Sequence, residues 1–384
     1  MKHYLALFAL LSFAITLWGQ ENKEQWNADL GVETFFRNNE YSAPYGTGYT
    51  LPGYKLTAKA SYEKRFSFGL ARLEGGIHTM GYWGATTYPK GTWFAELPHW
   101  TEQSEQQKWG RIIPLVGLVF APNDKLTLRM GLIDKKDNHG LITPLYNPEL
   151  RYTADPEQGV QLKVEYPFFQ GDVWIDWQSF IFRADRHQEA FTAGLTASTP
   201  LLKTSLYCLE GKLQATATHR GGEINWLRSD TVHTYSALTL GLKHSFYLFP
   251  SAPERELSLE TFFLLSSMRT AEANNPVGKG VYALLDFTTR RISTSFSYWR
   301  GWHFVAPMGG PFVNSRALWE GPYTTDASST SFFSLKAHYA FVKSRVLSLG
   351  IQGQIWYHLQ PLPRKSSLSH ALELYFSFVP QWKW

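Results

Sequence analysis

Apolar and polar residues alternate along almost the whole chain. Trp26, Ala28, Leu30, Val32, Thr34 and Phe36 interleave with Asn27, Asp29, Gly31, Glu33 and Arg37. Tyr54, Leu56, Ala58, Ala60 and Tyr62 oppose Lys55, Thr57, Lys59, Ser61 and Glu63. Val160, Leu162, Val164 and Tyr166 oppose Gln161, Lys163 and Glu165, and Leu347, Leu349, Ile351, Ile355 and Tyr357 oppose Ser348, Gln352 and Gln354. Successive side chains of a strand point to opposite faces, so a period of two over about ten residues marks strands with one apolar and one polar face. The pattern predicts about sixteen such strands. They fall near 25–37, 54–64, 67–82, 112–121, 125–134, 159–166, 171–182, 190–199, 204–218, 235–247, 256–268, 281–289, 291–299, 331–341, 346–357 and 367–379.

The connections alternate as well. "APNDK", "YPFFQG", "TPLLK", "FPSAPERE", "TTRR" and "VKSR" are short and rich in turn residues. Longer polar segments lie between them, near 38–53, 83–111, 134–158, 219–234, 269–280 and 300–330. An even number of strands returns both ends of the chain to the short-turn side. No Pro/Gly/Ser-rich linker divides residues 21–384, which read as one all-β domain. The alternative is a secreted β-sandwich or β-helix with the apolar face on a packed core, but sandwich strands average only five or six residues.

The N-terminus adds a destination. Lys2 and His3 precede an apolar run from Tyr4 to Trp18, broken by Ser12 and Thr16 and followed by Gly19. Residues 1–20 are expected to be a Sec signal peptide; the run is short for an uncleaved anchor. No later stretch approaches the 18 or so apolar residues of a membrane helix. Cys208 is the one cysteine, so no intramolecular disulfide can form. Aromatic residues make up 16% of the chain and charged ones 18%, and a net charge of +5 is too small to argue for nucleic acid. The chain closes on "LELYFSFVPQWKW", with Leu372, Leu374, Phe376 and Phe378 alternating against Glu373, Tyr375 and Ser377 up to Trp384. Chain ends usually fray, so a patterned terminal strand is expected to pair with something.

Together these features resemble Gram-negative outer-membrane β-barrels of the porin type, which are transmembrane antiparallel up-and-down barrels. The resemblance implies outer-membrane lipid as the surroundings, with barrel-assembly machinery and periplasmic chaperones as partners. It also implies an assembly signal in the last strand, matched by Leu372, Leu374, Phe376 and Phe378, with Trp384 displaced beyond Pro380. That strand then pairs with the first, because an unpaired backbone group in hydrocarbon costs several kcal/mol. Trp26, Tyr54, Tyr62, Tyr166, Tyr235, Tyr298 and Tyr357 suit the interfacial girdles. A homo-oligomer or an envelope-complex partner stays open.

Sixteen strands leave an interior too wide for side chains alone to fill. Expected wall residues carry both signs: Glu33, Lys59, Glu63, Arg72, Lys163 and Asp176, with Glu33–Lys59 and Glu63–Arg72 as cross-strand pairs. The segment "DKKDNHGLITPLYNPELRYTADPEQ" follows the fifth strand, where the resemblance implies an inward-folded loop. Its Lys135, Lys136, Asp137, Glu149, Arg151, Asp155 and Glu157 are candidates for a charged constriction, or else an ordinary exposed loop. Arg183, Asp185 and Arg186 form a second cluster. Trp174, Phe180, Phe182, Phe262, Tyr282, Trp299, Trp356 and Tyr375 fall on the polar face, where they could stack on sugars or pack beneath an inward loop. No GxSxG, HExxH or CxxC occurs, and His78, His338 and His370 have no spacing that sets them apart. No cofactor, metal or enzymatic activity is expected. The leading expectation is a channel for small hydrophilic solutes, with saccharides among them. The runner-up is a non-conducting scaffold or receptor in an envelope-assembly or secretion complex, and a hydrolase comes third. Whether loops 83–111, 134–158 and 300–330 enter the lumen decides between the first two.

Overall fold

Sixteen antiparallel strands close on themselves in the computed structural model, which describes residues 24–42, 48–85, 111–182, 188–221, 232–248, 255–270, 273–274, 277–315, 328–359 and 367–384. The first half comprises β1 (Glu24–Glu40), β2 (Tyr49–Phe66), β3 (Gly69–Tyr82), β4 (Arg111–Asn123), β5 (Leu126–Leu132), β6 (Gln158–Tyr166), β7 (Phe169–Ser179) and β8 (Ala190–Lys203). The second comprises β9 (Tyr207–Arg220), β10 (His233–Tyr247), β11 (Glu256–Thr270), β12 (Gly278–Thr288), β13 (Ile292–Trp302), β14 (Ser329–Lys343), β15 (Leu347–His358) and β16 (Leu368–Phe378). Each pairs with the next, and every strand expected from the alternation coincides with one of them. The ends differ where the pattern breaks but the ladder continues. β2, for example, begins at Tyr49, because Leu51, Pro52 and Gly53 still lie opposite Arg37, Phe36 and Phe35.

The terminal strand closes the cylinder. Val32 lies opposite Phe378, and the register runs on to Glu40 opposite His370. Pro380 has no N–H to give and interrupts the ladder. Pairing then resumes, with Gln381–Lys383 opposite Asp29–Asn27. The Trp26 N–H donates to the Trp384 carbonyl at 2.9 Å, and the Trp384 N–H returns a bond of 3.0 Å to Trp26. The second side of β1 is thereby covered from Trp26 onward.

The period of two sorts the side chains. Leu73, Ile77, Val116, Leu240, Phe263 and Leu372 point outward and are exposed, as a lipid-facing belt requires. Trp26, Tyr54, Tyr62, Tyr166, Tyr298 and Tyr357 share that outward parity near strand ends. Tyr235 does not: it lies opposite inward Thr218 and is buried inside the wall. The expected wall residues Glu33, Lys59, Glu63, Arg72, Lys163 and Asp176 all point inward. Arg72 meets Glu63 at 3.5 Å and Glu74 at 2.8 Å. Glu33 takes Lys55 at 3.3 Å rather than Lys59, because the antiparallel register sets Lys55 directly opposite and moves Lys59 to Asp29.

The apolar core lies inside the barrel. Phe35, Trp174, Phe262, Trp299 and Trp356 project from the wall onto Leu145, Leu150, Phe304, Phe312 and Val313 of two inward segments. Room for these rings comes from wall glycines: a Cβ on Gly194 would stand 2.1 Å from Trp174, and one on Gly241 would stand 2.1 Å from Phe262. Phe180 and Phe182, expected on the inner face, lie past the end of β7 and are exposed against each other.

A charge placed on the outer face should therefore be costly and one on the inner face tolerated. Leu240→Arg is expected to destabilise the barrel by about 2–4 kcal/mol in bilayer unfolding titrations, and Ser198→Arg by about 1 or less. Equal costs at the two positions would reverse the assignment of faces.

Candidate functional site in the lumen

Residues 133–157 leave the short strand β5 and turn into the barrel instead of standing above it. Their backbone would be stranded there without partners, and the wall supplies them. The Gln214 side chain of β9 accepts from Ile142 N–H at 3.0 Å and donates to the Gly140 carbonyl at 2.9 Å, and Thr196 of β8 donates to the His139 carbonyl at 2.9 Å. A second segment, 303–315 after β13, packs on the first. Asn147 N–H donates to Met308 O at 2.7 Å and Gly310 N–H to Thr143 O at 2.8 Å.

Two polar clamps fix the first segment at opposite sides of the wall. In the first, a turn at Pro148–Tyr152 starts where the Asn147 side chain accepts from Glu149 N–H at 3.0 Å. The turn presents Glu149 to Arg37 at 3.0 Å and to Asn39 at 2.6 Å. Arg37 also reaches Glu373 of β16 at 2.8 Å, and Glu373 accepts from Arg151 and from the Tyr152 hydroxyl. Arg37, Glu149 and Glu373 are buried, so each charge depends on its partner.

The second clamp centres on His139. Asn138 and His139 have φ of 53° and 57°, followed by Gly140 at 73°. A left-handed histidine is strained and persists only where its surroundings over-determine it. Nδ1 lies 2.9 Å from Asp172 of β7, Nε2 lies 2.7 Å from Glu157, and the ring stacks on Trp174 at 3.8 Å and 5°. Two carboxylates facing both nitrogens demand two donors, which is the imidazolium form. Burial alone would lower the His139 pKa; the hydrogen bonds to Asp172 and Glu157 outweigh it and raise it above the ordinary value. Burial would raise Glu157, yet Lys135 and His139 pull it below the usual carboxylate range. Tyr146 donates to Glu157 at 3.2 Å, and Gln161 donates to Asp172 at 2.9 Å.

Beneath the first clamp lies a cavity of about 250 Å³. Its loop side is formed by Thr143 to Tyr152. Its wall side is formed by Asp286, Ser295, Ser297, Lys336, Gln352 and Gln354, with Tyr282 and Trp356. Lys336 makes no ion pair among the described residues.

Of the expected constriction residues, Glu149 and Arg151 belong to the first clamp and Glu157 and Lys135 to the second. Asp155 is half-buried on the same segment. Lys136 and Asp137 lie in the turn Lys136–Gly140, with side chains outside the described residues. Arg183, Asp185, Arg186 and the expected leader 1–20 are also outside them, as are 86–110 and 316–327 of the long loops. Among these charges Glu149 and Arg151 are turned toward the wall residues Arg37 and Glu373, while Glu157 pairs with Lys135 and His139 of its own segment. Trp174, Phe262, Tyr282, Trp299 and Trp356 pack beneath the inward segments, which is the alternative to sugar stacking. Arg37, Asn39, His139 and Asp172 join the site only through contacts that the fold creates. The run Asn138–His139–Gly140 was the available signal, since Asn and Gly favour the left-handed region. His78 accepts from or donates to Thr57 at 2.8 Å, His338 meets the Tyr375 hydroxyl at 2.7 Å, and His370 points outward.

This architecture is an outer-membrane β-barrel of the porin type. The family model described as "Lipid A 3'-O-deacylase-type" matches residues 18–383, and the chain belongs to that family. The match corrects the expectation of no enzymatic activity, because the family is named for an enzyme. No curated protein sequence matches the chain. Among solved structures, a BenF-like porin from Pseudomonas fluorescens Pf-5 is similar, at 10% identity over 93% of this chain and 99% of that one, with a TM-score of 0.51. The loop L8 deletion mutant of OmpT from Vibrio cholerae is similar at 9% identity, 94% and 100% coverage and a TM-score of 0.49. At such identities the likeness concerns the fold alone.

Two predictions follow from the clamps. Glu149→Ala removes one of the two carboxylates of Arg37, which keeps Glu373, and should weaken loop docking by about 1.5–3 kcal/mol, read as faster amide exchange across 143–153 while the strands stay protected. For the second clamp, the raised His139 pKa adds stability that is complete below its unfolded value of about 6.5 and is lost as pH rises through the folded value. The lowered Glu157 adds stability present above about 4.3 and lost as pH falls through its folded value. Exchange across 138–142 should be slowest between these limits and accelerate beyond the intrinsic pH effect on the alkaline side. His139→Phe should abolish that alkaline step.

Proposed function

We propose that the protein is an outer-membrane channel of restricted bore for small hydrophilic solutes, saccharides among them. The observation that carries this reading is the polar cavity between the clamped loop and the β12–β15 wall, where serine hydroxyls, glutamine amides and Lys336 surround a space lined also by Tyr282 and Trp356. Such a lining suits a hydrated, uncharged or singly charged solute better than an apolar one. The two inward segments restrict the bore, so wide-pore diffusion is not part of this reading. In planar bilayers the refolded protein should give small, discrete conductance steps, and Glu149→Ala should enlarge them severalfold by releasing the loop. Silence from both proteins would remove the reading.

Family membership favours a second reading, hydrolysis of an acyl ester on a lipid A-type glycolipid. A hydroxyl beside an imidazole is the arrangement of an activated nucleophile. Ser369 lies 2.9 Å from His358 Nε2 and accepts from Ser42 N–H at 2.9 Å, at the long-loop ends of β15 and β16. Both groups are buried, and the Phe312 ring stands 4.7 Å from the His358 ring, so an ester would reach them only after the 303–315 segment moves. Mass spectrometry of lipid A incubated with the protein should then show loss of one acyl chain, and Ser369→Ala should stop it. An unchanged lipid mass would dismiss this reading without touching the first.

A further inference from the structure

The outer wall of β10–β14 carries charge of one sign only. No Asp or Glu points outward from these strands, yet Arg269 does so on β11, Lys279 on β12 and Arg300 on β13. The register fixes their direction: Arg269 lies opposite outward Thr234, Lys279 opposite outward Leu265, and Arg300 opposite outward Val281. All three stand at the long-loop ends of their strands, the end that meets the outer leaflet. Arg269 and Lys279 are exposed and Arg300 is half-buried, and none makes an ion pair among the described residues. The Arg300 guanidinium lies over the Trp302 ring at 4.8 Å, and its Nε is buried with no hydrogen-bond partner among the described residues. Lys279 lies directly opposite Trp302, so Lys279 and Arg300 are diagonal neighbours about 7–8 Å apart across the sheet. Two like charges that close, at the edge of a membrane, repel unless an anion sits between them.

Directly beneath these cations the outer wall is hollowed. Leu240, Leu242, Thr261, Phe263, Val281 and Ala283 line an apolar groove of about 660 Å³, bounded on the β13 side by Tyr298. Small Thr261 and Ala283 stand side by side between Leu242 and Tyr298, which leaves the hollow. On the next outward rung Val281 lies between Phe263 and Arg300, so the groove runs up to the cations without a break. A hydrocarbon seat below and a cation pair above are complementary to the two ends of one lipid. Tyr298 and Trp302 suit the level of the headgroups, and arginine and lysine donate charge-assisted hydrogen bonds to phosphate oxygens. We propose that this face holds one molecule of the phosphorylated glycolipid of the outer leaflet. A phosphate of this lipid A-type molecule lies between Lys279 and Arg300, and an acyl chain lies in the groove. Phospholipids share the phosphate, but the long-loop ends reach the leaflet that the glycolipid occupies. The site is on the outside of β10–β13, apart from Ser369 and His358 of β15 and β16, and it rests on neither reading of function above.

The test is native mass spectrometry of the refolded full-length barrel, titrated in detergent with lipid A, with lipid A stripped of its phosphates, or with phosphatidylglycerol. A single lipid A should stay bound to each barrel, any deacylated form being counted with it. Half-saturation should come at about tenfold lower concentration than with either of the other lipids. The variant K279E/R300E should erase that difference. Ala283→Trp fills the groove, leaves both cations in place and should weaken retention of all three lipids. The lipid comparison uses the unmodified protein and stands even where a variant fails to fold. Equal retention of the phosphate-free form, a preference that survives charge reversal, or unchanged binding by Ala283→Trp would each overturn the proposal. Phosphatidylglycerol held as tightly as lipid A, or more so, would reassign the cations to phospholipid and overturn it likewise.

Discussion

The backbone of β1 needs a partner on its second side, and only the end of the chain is in place to provide it. In hydrocarbon no water can satisfy the N–H and C=O groups of an edge strand, so the sheet must close. The reciprocal bonds between Trp26 and Trp384 are the last rungs of that closure. Everything else follows from it. Closure sets the circumference, the circumference leaves an interior that strand side chains cannot fill, and that interior has to be dealt with by other parts of the chain.

Here it is dealt with by two segments that carry their own small core into the lumen. Apolar packing of Leu145, Phe304 and Phe312 is non-directional and does not by itself set one height. The buried charges remove that freedom. Arg37 reaches Glu149 and Glu373 only when the loop lies at one height, and His139 reaches Asp172 only when it lies at one angle. Breaking the Arg37–Glu149 contact leaves buried Glu149 without a counter-ion, and this penalty, more than the attraction, makes the arrangement singular. At His139 burial works against the charge, and the hydrogen bonds to Asp172 and Glu157 outweigh it.

Fold and family give different hints about activity, and the difference is instructive. Barrels of this shape are shared by proteins with unrelated tasks, so function has to be argued from particular groups. A polar cavity under a clamped loop and a serine–histidine contact under Phe312 occupy different parts of the same lumen. Both depend on the inward segments, one for its roof and the other for its cover. Movement of those segments is therefore the physical variable that any activity of this barrel would share.

The strands, their number, the inward set of charges and the pairing of last strand with first were legible in the amino-acid order. Side-chain alternation is a local property, and lipid outside with water inside turns it directly into a face. The girdle and the wall pairs were legible to within one register step, with Tyr235 and the Glu33–Lys55 contact as the exceptions. The site was legible only as a charged loop after the fifth strand. Which charges meet was not, because Arg37 and Glu149 are 112 residues apart and Arg37 and Glu373 are 336 apart. Only the closed barrel sets β1, β16 and the loop side by side, and no periodicity along the chain records a contact that closure creates.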